Sequence, residues 1–147
     1  MLLQYSKTMG KLHLHIANAN QTFTDAEIAI FKNTAQQAET FVSSEFAQFD
    51  YEVDVIVTTP SFTLPTIVED GIAGKTLHSR LIMISVDKSQ HGVSEDFIFE
   101  TICHEMSHSL RWEKLPEYAE TMFDGMILEG LAVALEEEAI IKLGRRN

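Results

Sequence analysis

Two histidines and a glutamate lie within five consecutive residues in the second half of the chain. The run His104-Glu105-Met106-Ser107-His108 has the pattern HExxH. On a helix, residues four apart are offset by roughly 40° and lie one turn apart, so both imidazoles can reach one ion. Glu105 lies about 100° round from His104, where its carboxylate is close to that ion but poorly aimed to bind it. This arrangement is typical of zinc hydrolases, in which the glutamate acts as a base on metal-bound water.

A carboxylate further along the chain is a candidate for the third ligand. Glu129 follows His108 by 21 positions, in Leu128-Glu129-Gly130-Leu131-Ala132. Catalytic zinc sites commonly hold three protein ligands and keep one position open. We therefore expect one Zn²⁺ per chain, with Glu129 beside the two histidines.

An alternative is that an exposed helix carries His and Glu simply as polar surface. The neighbouring residues argue against it, because apolar side chains recur every four positions and form one stripe: Ile98, Ile102, Met106 and Leu110, with Phe99 and Cys103 beside it. His104, His108 and Arg111 fall on another face. The helix is therefore predicted to be buried on one side and to carry a metal site on the other.

The residues around the motif resemble a known family. Cys103–Arg111 and Glu129–Ala132 are similar to the HExxHxxR and EGLA motifs of the predicted zinc-dependent protease family, and more broadly to the gluzincin metallopeptidases. The resemblance is specific over residues 101–136 and suggestive over Gly71–Asp87. It departs at Leu128, where aminopeptidases place a polar residue, and at Val133, where thermolysin-like enzymes carry an aspartate.

The resemblance implies a ligand set, a base and a fold. His104, His108 and Glu129 would bind the zinc, and Glu105 would be the catalytic base. The fold would be a zincin-like α+β fold, with a small mixed sheet and an antiparallel edge strand. That sheet would pack on the HExxH helix and on a C-terminal helix that carries the third ligand.

Composition sets limits on class and partners. A chain of 147 residues predicts a single domain, and the resemblance implies that residues 1–147 form a minimal zincin-like metallopeptidase domain. Its net charge of −11 disfavours nucleic acid and anionic membranes as partners. Cys103 is the single cysteine and is interpreted as a small buried hydrophobe. With no signal-peptide pattern at the start and no long apolar run, we expect a cytoplasmic protein; the oligomeric state is not predicted.

Alternation and capping patterns predict the first elements. Leu12, Leu14 and Ile16 alternate with polar residues and indicate a strand, whose outer face carries His13 and His15. Those histidines could bind a metal, but a solvated face is favoured. Thr24 begins a helix that extends to about Phe49, and Tyr51–Val57 is a second strand, which together predict a βαβ unit with parallel strands.

The second half predicts two strands and two helices. Gly71–Ser79 is a candidate edge strand and Leu81–Val86 a buried one. The HExxH helix is expected from Ser94 to about Trp112, and a last helix from about Thr121 to Leu143. We expect this last helix to face a core with Phe123, Ile127, Leu131 and Ala134, and Gly130 to permit close packing on the HExxH helix. Glu136–Glu138 is interpreted as solvated surface, the alternative being that Glu136 hydrogen-bonds a ligand histidine.

The favoured function is hydrolysis of peptide bonds in a peptide or protein substrate. By resemblance, an extended substrate would pair with the edge strand at Gly74, Lys75, Thr76 and Leu77. Arg111, Tyr118, His78 and Lys75 are candidates for a second donor to the oxyanion; a carboxylate partner on the last helix is an equal alternative for Arg111. Two other functions stay open: a zinc-binding interaction module without catalysis, and a zinc hydrolase of a non-peptide substrate.

Overall fold

The computed structural model describes residues 9–61, 66, 71–89, 92–115 and 122–144. Along these ranges, four strands and three helices follow one another: β1 (Lys11–Ile16), α1 (Asp25–Glu45), β2 (Glu52–Thr58), β3 (Ile72–His78), β4 (Leu81–Val86), α2 (Glu95–Lys114) and α3 (Met122–Lys142). The α+β class predicted from the sequence is confirmed.

The four strands form one mixed sheet in the order β1-β2-β4-β3. β1 and β2 pair in parallel and are connected through α1, which confirms the predicted βαβ unit. β2 and β4 are also parallel, whereas β3 pairs antiparallel with β4 and lies at the edge of the sheet. The predicted antiparallel edge strand is therefore confirmed, and one of its long sides carries no strand neighbour in the described sheet.

Alternation along the strands places the core on one face of the sheet. Side chains of the inner face are almost fully buried against α1 and α2: Leu12, Val53, Val55, Val57, Ile82 and Ile84. On the opposite face of β1, His13 pairs with Glu52 and His15 with Asp54, and all four side chains are substantially exposed. These two histidines lie on a solvated face, as the favoured interpretation expected.

The first two helices begin at side-chain caps. Thr24 and Glu27 form the predicted capping box of α1, each accepting a hydrogen bond from the other's backbone. Ser94 caps α2 by accepting from the backbone N–H of Phe97. The predicted apolar stripe of α2 is buried, with Ile98 and Met106 fully enclosed. This burial fixes the rotation of α2 and turns its histidines toward α3.

The buried face of α3 differs from the predicted one. Ile127, Leu131 and Ala134 are exposed, whereas a neighbouring set is buried: Ala132, Leu135, Ala139 and Ile140. The side chain of Phe123 lies outside the described residues. The prediction was wrong because α3 is apolar on several sides, so its own periodicity does not select the face that meets α2. No helix within the described ranges has the length and apolar content that a membrane span requires.

Candidate metal centre

Donor atoms of three residues, from two helices, converge at the contact between α2 and α3. His108 Nε2 lies 3.3 Å from His104 Nε2 and 2.9 Å from Glu129 Oε1. His104 Nε2 lies 3.1 Å from Glu129 Oε2. The two histidine side chains are largely buried, and that of Glu129 is 62% exposed. The structure thus brings together all three residues that the sequence suggested as ligands, at a site open to solvent on the Glu129 side.

A fourth residue sets the orientation of the first imidazole. Glu136 lies two turns after Glu129 on α3, and its Oε2 is 3.1 Å from His104 Nδ1. A neutral His104 whose Nδ1–H donates to this carboxylate carries its lone pair on Nε2, which faces the other two donors. The same hydrogen bond raises the pKa of His104, against the opposing effect of burial.

The second imidazole has a different environment. His108 is 6% exposed, and this burial lowers its pKa, although the nearby Glu105 and Glu129 carboxylates oppose the effect. The positive charges of His104 and Arg111 lower it further. A neutral imidazole is the form that binds a metal ion, so burial favours His108 as a ligand.

The donor set fits a zinc ion. Two imidazole nitrogens and a carboxylate are ligands that zinc accepts, at bond lengths of about 2.0–2.2 Å. A tetrahedral ion with such bonds holds its donor atoms about 3.3 Å apart. The two Nε2 atoms are 3.3 Å apart, and each lies 2.9–3.1 Å from a different oxygen of the Glu129 carboxylate. Lone pairs that face one another at these distances repel unless a proton or a cation lies between them. The group of His104, His108 and Glu129 can therefore hold a metal ion.

The carboxylate of Glu105 lies between α2 and the edge strand β3. Glu105 is 6% exposed, and its Oε2 accepts a hydrogen bond of 2.7 Å from the hydroxyl of Thr76. A cleft of about 330 Å³ opens beside it, between β3, α2 and α3. The cleft is lined by residues of all three elements: Ile72, Ala73, Gly74, Phe97, Glu100, Thr101, His104, Glu105, Glu129 and Glu136. Two of the candidate ligands, His104 and Glu129, thus line one concave surface together with the candidate base, and His108 lies directly behind them.

The turn between β3 and β4 is attached to α2 and to Tyr51, the residue before β2. Ser109 of α2 donates to the backbone oxygen of Ser79 and accepts from the buried hydroxyl of Tyr51. Burial raises the pKa of Tyr51 to about 12. Arg80 of the same turn pairs with Glu113 of α2 and lies over the Tyr51 ring. These contacts hold the edge strand at a fixed position along the HExxH helix.

A family model matches residues 31–144, and it describes a predicted Zn-dependent protease (DUF2268). The chain belongs to this family. The matched span includes β3, α2 and α3, and with them every residue of the candidate metal centre. No curated protein and no solved structure matched the chain.

The candidates for the second donor lie outside the cleft or outside the described residues. His78 lies at the far end of β3, where its Nδ1 accepts from the backbone of Arg80. Arg111 lines a separate, apolar cavity of about 420 Å³, and its Nε is buried without a hydrogen-bond partner among the described residues. Gly74 and Thr76 face α2, and Lys75 lies between them on β3. Its exposed side chain is therefore on the opposite face and points away from α2. Tyr118 lies outside the described residues.

Sequence reasoning ranked one contact of the candidate catalytic residues second and missed another. Solvated surface was the favoured interpretation of Glu136, but the alternative, a hydrogen bond to a ligand histidine, is the one observed; its spacing of seven residues from Glu129 puts both on one face of α3 and was the available signal. Thr76 was considered for its backbone alone, although its hydroxyl reaches Glu105. Thr76 follows Gly74 by two positions on the strand, so the two residues share the face turned to α2.

Removal of Glu136 tests its support of His104. We expect Glu136→Ala to weaken zinc binding by roughly 10- to 100-fold, because partners that orient ligand histidines typically have effects of this size. Glu136→Gln should fall between the wild type and Glu136→Ala, since the amide oxygen can still accept the Nδ1–H. Competition with a chromophoric chelator measures the zinc Kd. Glu137→Ala is the matched control, because Glu137 is the exposed neighbour. An unchanged Kd for Glu136→Ala would show that His104 needs no such support.

Proposed function

We propose that this protein is a zinc-dependent peptidase whose ion is held by His104, His108 and Glu129. The observation that carries the proposal is the convergence of two imidazoles and one carboxylate, whose donor atoms lie 2.9–3.3 Å from one another across residues, with Glu105 next to His104 on the same helix. Membership in the predicted Zn-dependent protease family supports it independently. A purely structural zinc site has no use for a carboxylate held beside it, which favours catalysis over a binding module.

The chemistry is hydrolysis of an amide bond. A zinc ion at the three donors would acidify a coordinated water and polarise the scissile carbonyl. Glu105 would accept a proton from the attacking water and later deliver it to the leaving nitrogen. His104 would stay oriented through Nδ1 by Glu136. The products would be a carboxylate and a free amine, with the oxygen of water in the new carboxylate.

The edge strand offers backbone groups for an extended peptide. The backbone N–H of Asp87 donates to the oxygen of Gly71 at 2.7 Å, which makes Gly71 a hydrogen-bonded partner of β4. Since antiparallel pairs alternate, Ile72, Gly74 and Thr76 turn their N–H and C=O groups to the open side. Part of this edge also lines the cleft. We propose that the substrate adds here as a further strand, with backbone pairing supplying affinity at low sequence preference.

The proposal is tested with a mixture of unstructured peptides and zinc-loaded protein. Mass spectrometry should detect cleavage at amide bonds, with one ¹⁸O atom incorporated per cleavage in H₂¹⁸O. A cleaved peptide is then remade with single N-methyl groups along its backbone. Because only alternate residues of an added strand donate to its neighbour, methylation at alternate positions should raise KM, and methylation at the positions between should not.

Two results would contradict the proposal in different ways. A zinc-loaded protein that cleaves no peptide but hydrolyses ester or other non-peptide substrates would make it a hydrolase of another class. A protein that binds zinc and hydrolyses neither would be a binding module. Cleavage that tolerates N-methyl groups at every position would support the peptidase assignment but contradict pairing of the substrate with the edge strand.

A further inference from the structure

The edge strand contacts the candidate catalytic base directly. The Thr76 hydroxyl lies 2.7 Å from Glu105 Oε2 and 3.0 Å from the Glu105 backbone oxygen. A hydroxyl has one proton to donate, and the shorter distance and the charge of the carboxylate favour Oε2. The backbone oxygen is already a hydrogen-bond acceptor within α2, so the carboxylate is the partner that depends most on Thr76.

A second residue of the same strand makes room for this contact. A Cβ added to Gly74 would lie 2.9 Å from Glu105 Cγ, 3.0 Å from Glu105 Oε1 and 2.7 Å from Thr101 Cγ2. Carbon atoms do not approach so closely without displacement. The side chain of Glu105 therefore lies against bare backbone at Gly74, and any larger residue there would move Glu105, Thr101 or the strand.

We propose that β3 positions the catalytic base through Thr76, and that this contact couples peptide docking to catalysis. The proposal rests on the proposed function, because it assigns Glu105 as the base and β3 as the docking strand. Thr76 is then a positioning residue: its side chain holds Glu105 Oε2, which leaves Oε1 as the oxygen that takes the proton. Its backbone N–H and C=O, turned to the open side, belong to the groups that pair with the peptide.

The geometry explains why this coupling matters. A glutamate side chain has three rotatable bonds, and that of Glu105 borders a cleft of about 330 Å³ on one side, so its carboxylate needs a partner that selects one rotamer. A hydrogen bond from the strand on which the peptide lies fixes the position of the base relative to the scissile bond. Misplacement of a catalytic group by about 1 Å can reduce a rate by about 100-fold. A hydroxyl on the docking strand prevents this error without contacting the metal.

The first test separates the hydroxyl from the bulk of Thr76. We expect Thr76→Val, which keeps the shape and removes the donor, to lower kcat by about 10- to 100-fold. KM should change less than about twofold and zinc content should be unaltered, because the backbone and the ligands are intact. Thr76→Ser restores the hydroxyl and should recover most of kcat. Thr40→Val is the matched control, since the Thr40 hydroxyl bonds to a helix carbonyl on the exposed side of α1.

The close approach of Glu105 to Gly74 is tested with a second pair of variants. Gly74→Ala should lower kcat at unchanged zinc content, because its methyl group would displace Glu105. Gly125→Ala is the control, since a Cβ at Gly125 meets no atom within 4 Å.

Three results for the Thr76 variants would overturn the proposal. They are an unchanged kcat for Thr76→Val, a loss of kcat that Thr76→Ser does not recover, and an effect on KM alone.

A third measurement does not depend on hydrolysis. Thermal unfolding is compared for the wild type, Thr76→Val, Glu105→Ala and the double variant, all at the same zinc content. If the two side chains interact, the double variant should lose less in Tm than the sum of the single losses, because the second substitution has no contact left to break. Additive losses would overturn the contact even if the protein is a peptidase. Non-additive losses without hydrolysis of any peptide would keep the contact and reject the proposed function.

Discussion

Glu105→Gln should leave the zinc content at its wild-type value and reduce peptide hydrolysis by about 10²- to 10⁴-fold. The amide cannot accept a proton from water, whereas positioned general bases contribute about this factor. The three donor atoms belong to other residues, so the metal is expected to stay. Glutamine is nearly the same size as glutamate, and its amide oxygen can still accept the Thr76 hydroxyl. The loss is therefore expected in kcat, with little change in KM.

The control for this variant lies on the same helix. Glu95→Gln removes one carboxylate from the exposed first turn of α2, away from the cleft, and should hydrolyse peptides at the wild-type rate. Initial rates at saturating peptide, with zinc measured on the same samples, distinguish loss of the base from loss of the metal. Undiminished turnover by zinc-loaded Glu105→Gln would remove Glu105 from the role of base.

Glu129→Ala should lose zinc and, with it, hydrolysis. Only the two imidazoles of α2 would remain, and the carboxylate is the sole donor of the set that comes from α3. We expect the zinc Kd to rise by more than the roughly 10- to 100-fold that removal of an outer partner produces. Glu129 is the most exposed of the three side chains, so its substitution should cost little stability beyond that of the lost metal.

The comparison variant is Glu137→Ala, which removes an exposed carboxylate from the same helix. Both proteins are dialysed against equal free zinc and analysed for bound metal. Normal zinc content in Glu129→Ala would exclude Glu129 as a ligand, and would point to another carboxylate of the cleft as the third donor.

Local patterns predicted much of the fold because each one reflects a local physical cause. Alternation in Leu12–Ile16 and Glu52–Thr58 indicates one buried face on each strand. A helix between two strands is typical of a parallel pair, and the structure has this pairing. The stripe from Ile98 to Leu110 predicted the side of α2 that packs in the core, and so the other side, where His104 and His108 meet α3. The antiparallel direction of β3 was expected by resemblance rather than from its residues, since alternation is the same in either direction.

Helix α3 shows where local patterns fail. Its apolar residues lie on several sides, so contact with α2 decides which of them are buried. Gly130 was expected to permit close packing, but a Cβ there would meet no atom within 4 Å; the fully buried Ala132 is the small residue on the packed face. Once Glu129 is directed at the histidines, Glu136 necessarily lies on the same side. A correct rotation of α3 would thus have predicted the partner of His104.

The contact between Thr76 and Glu105 was not predictable from either segment alone. It depends on the separation of β3 and α2, which Gly74 and the attached β3–β4 turn determine. Spacing along a strand shows which residues share a face, but it does not show how close that face lies to a helix. Contacts between elements distant in sequence require the packed structure.

The most direct test of the metal centre is anomalous diffraction from crystals of the purified, zinc-loaded protein at the zinc absorption edge. We expect one strong anomalous peak per chain, about 2 Å from each of His104 Nε2, His108 Nε2 and a Glu129 carboxylate oxygen. The same crystals of His104→Ala should show a weakened or absent peak. A peak elsewhere, for example beside His13 and His15, or none in the wild type at saturating zinc, would contradict the account.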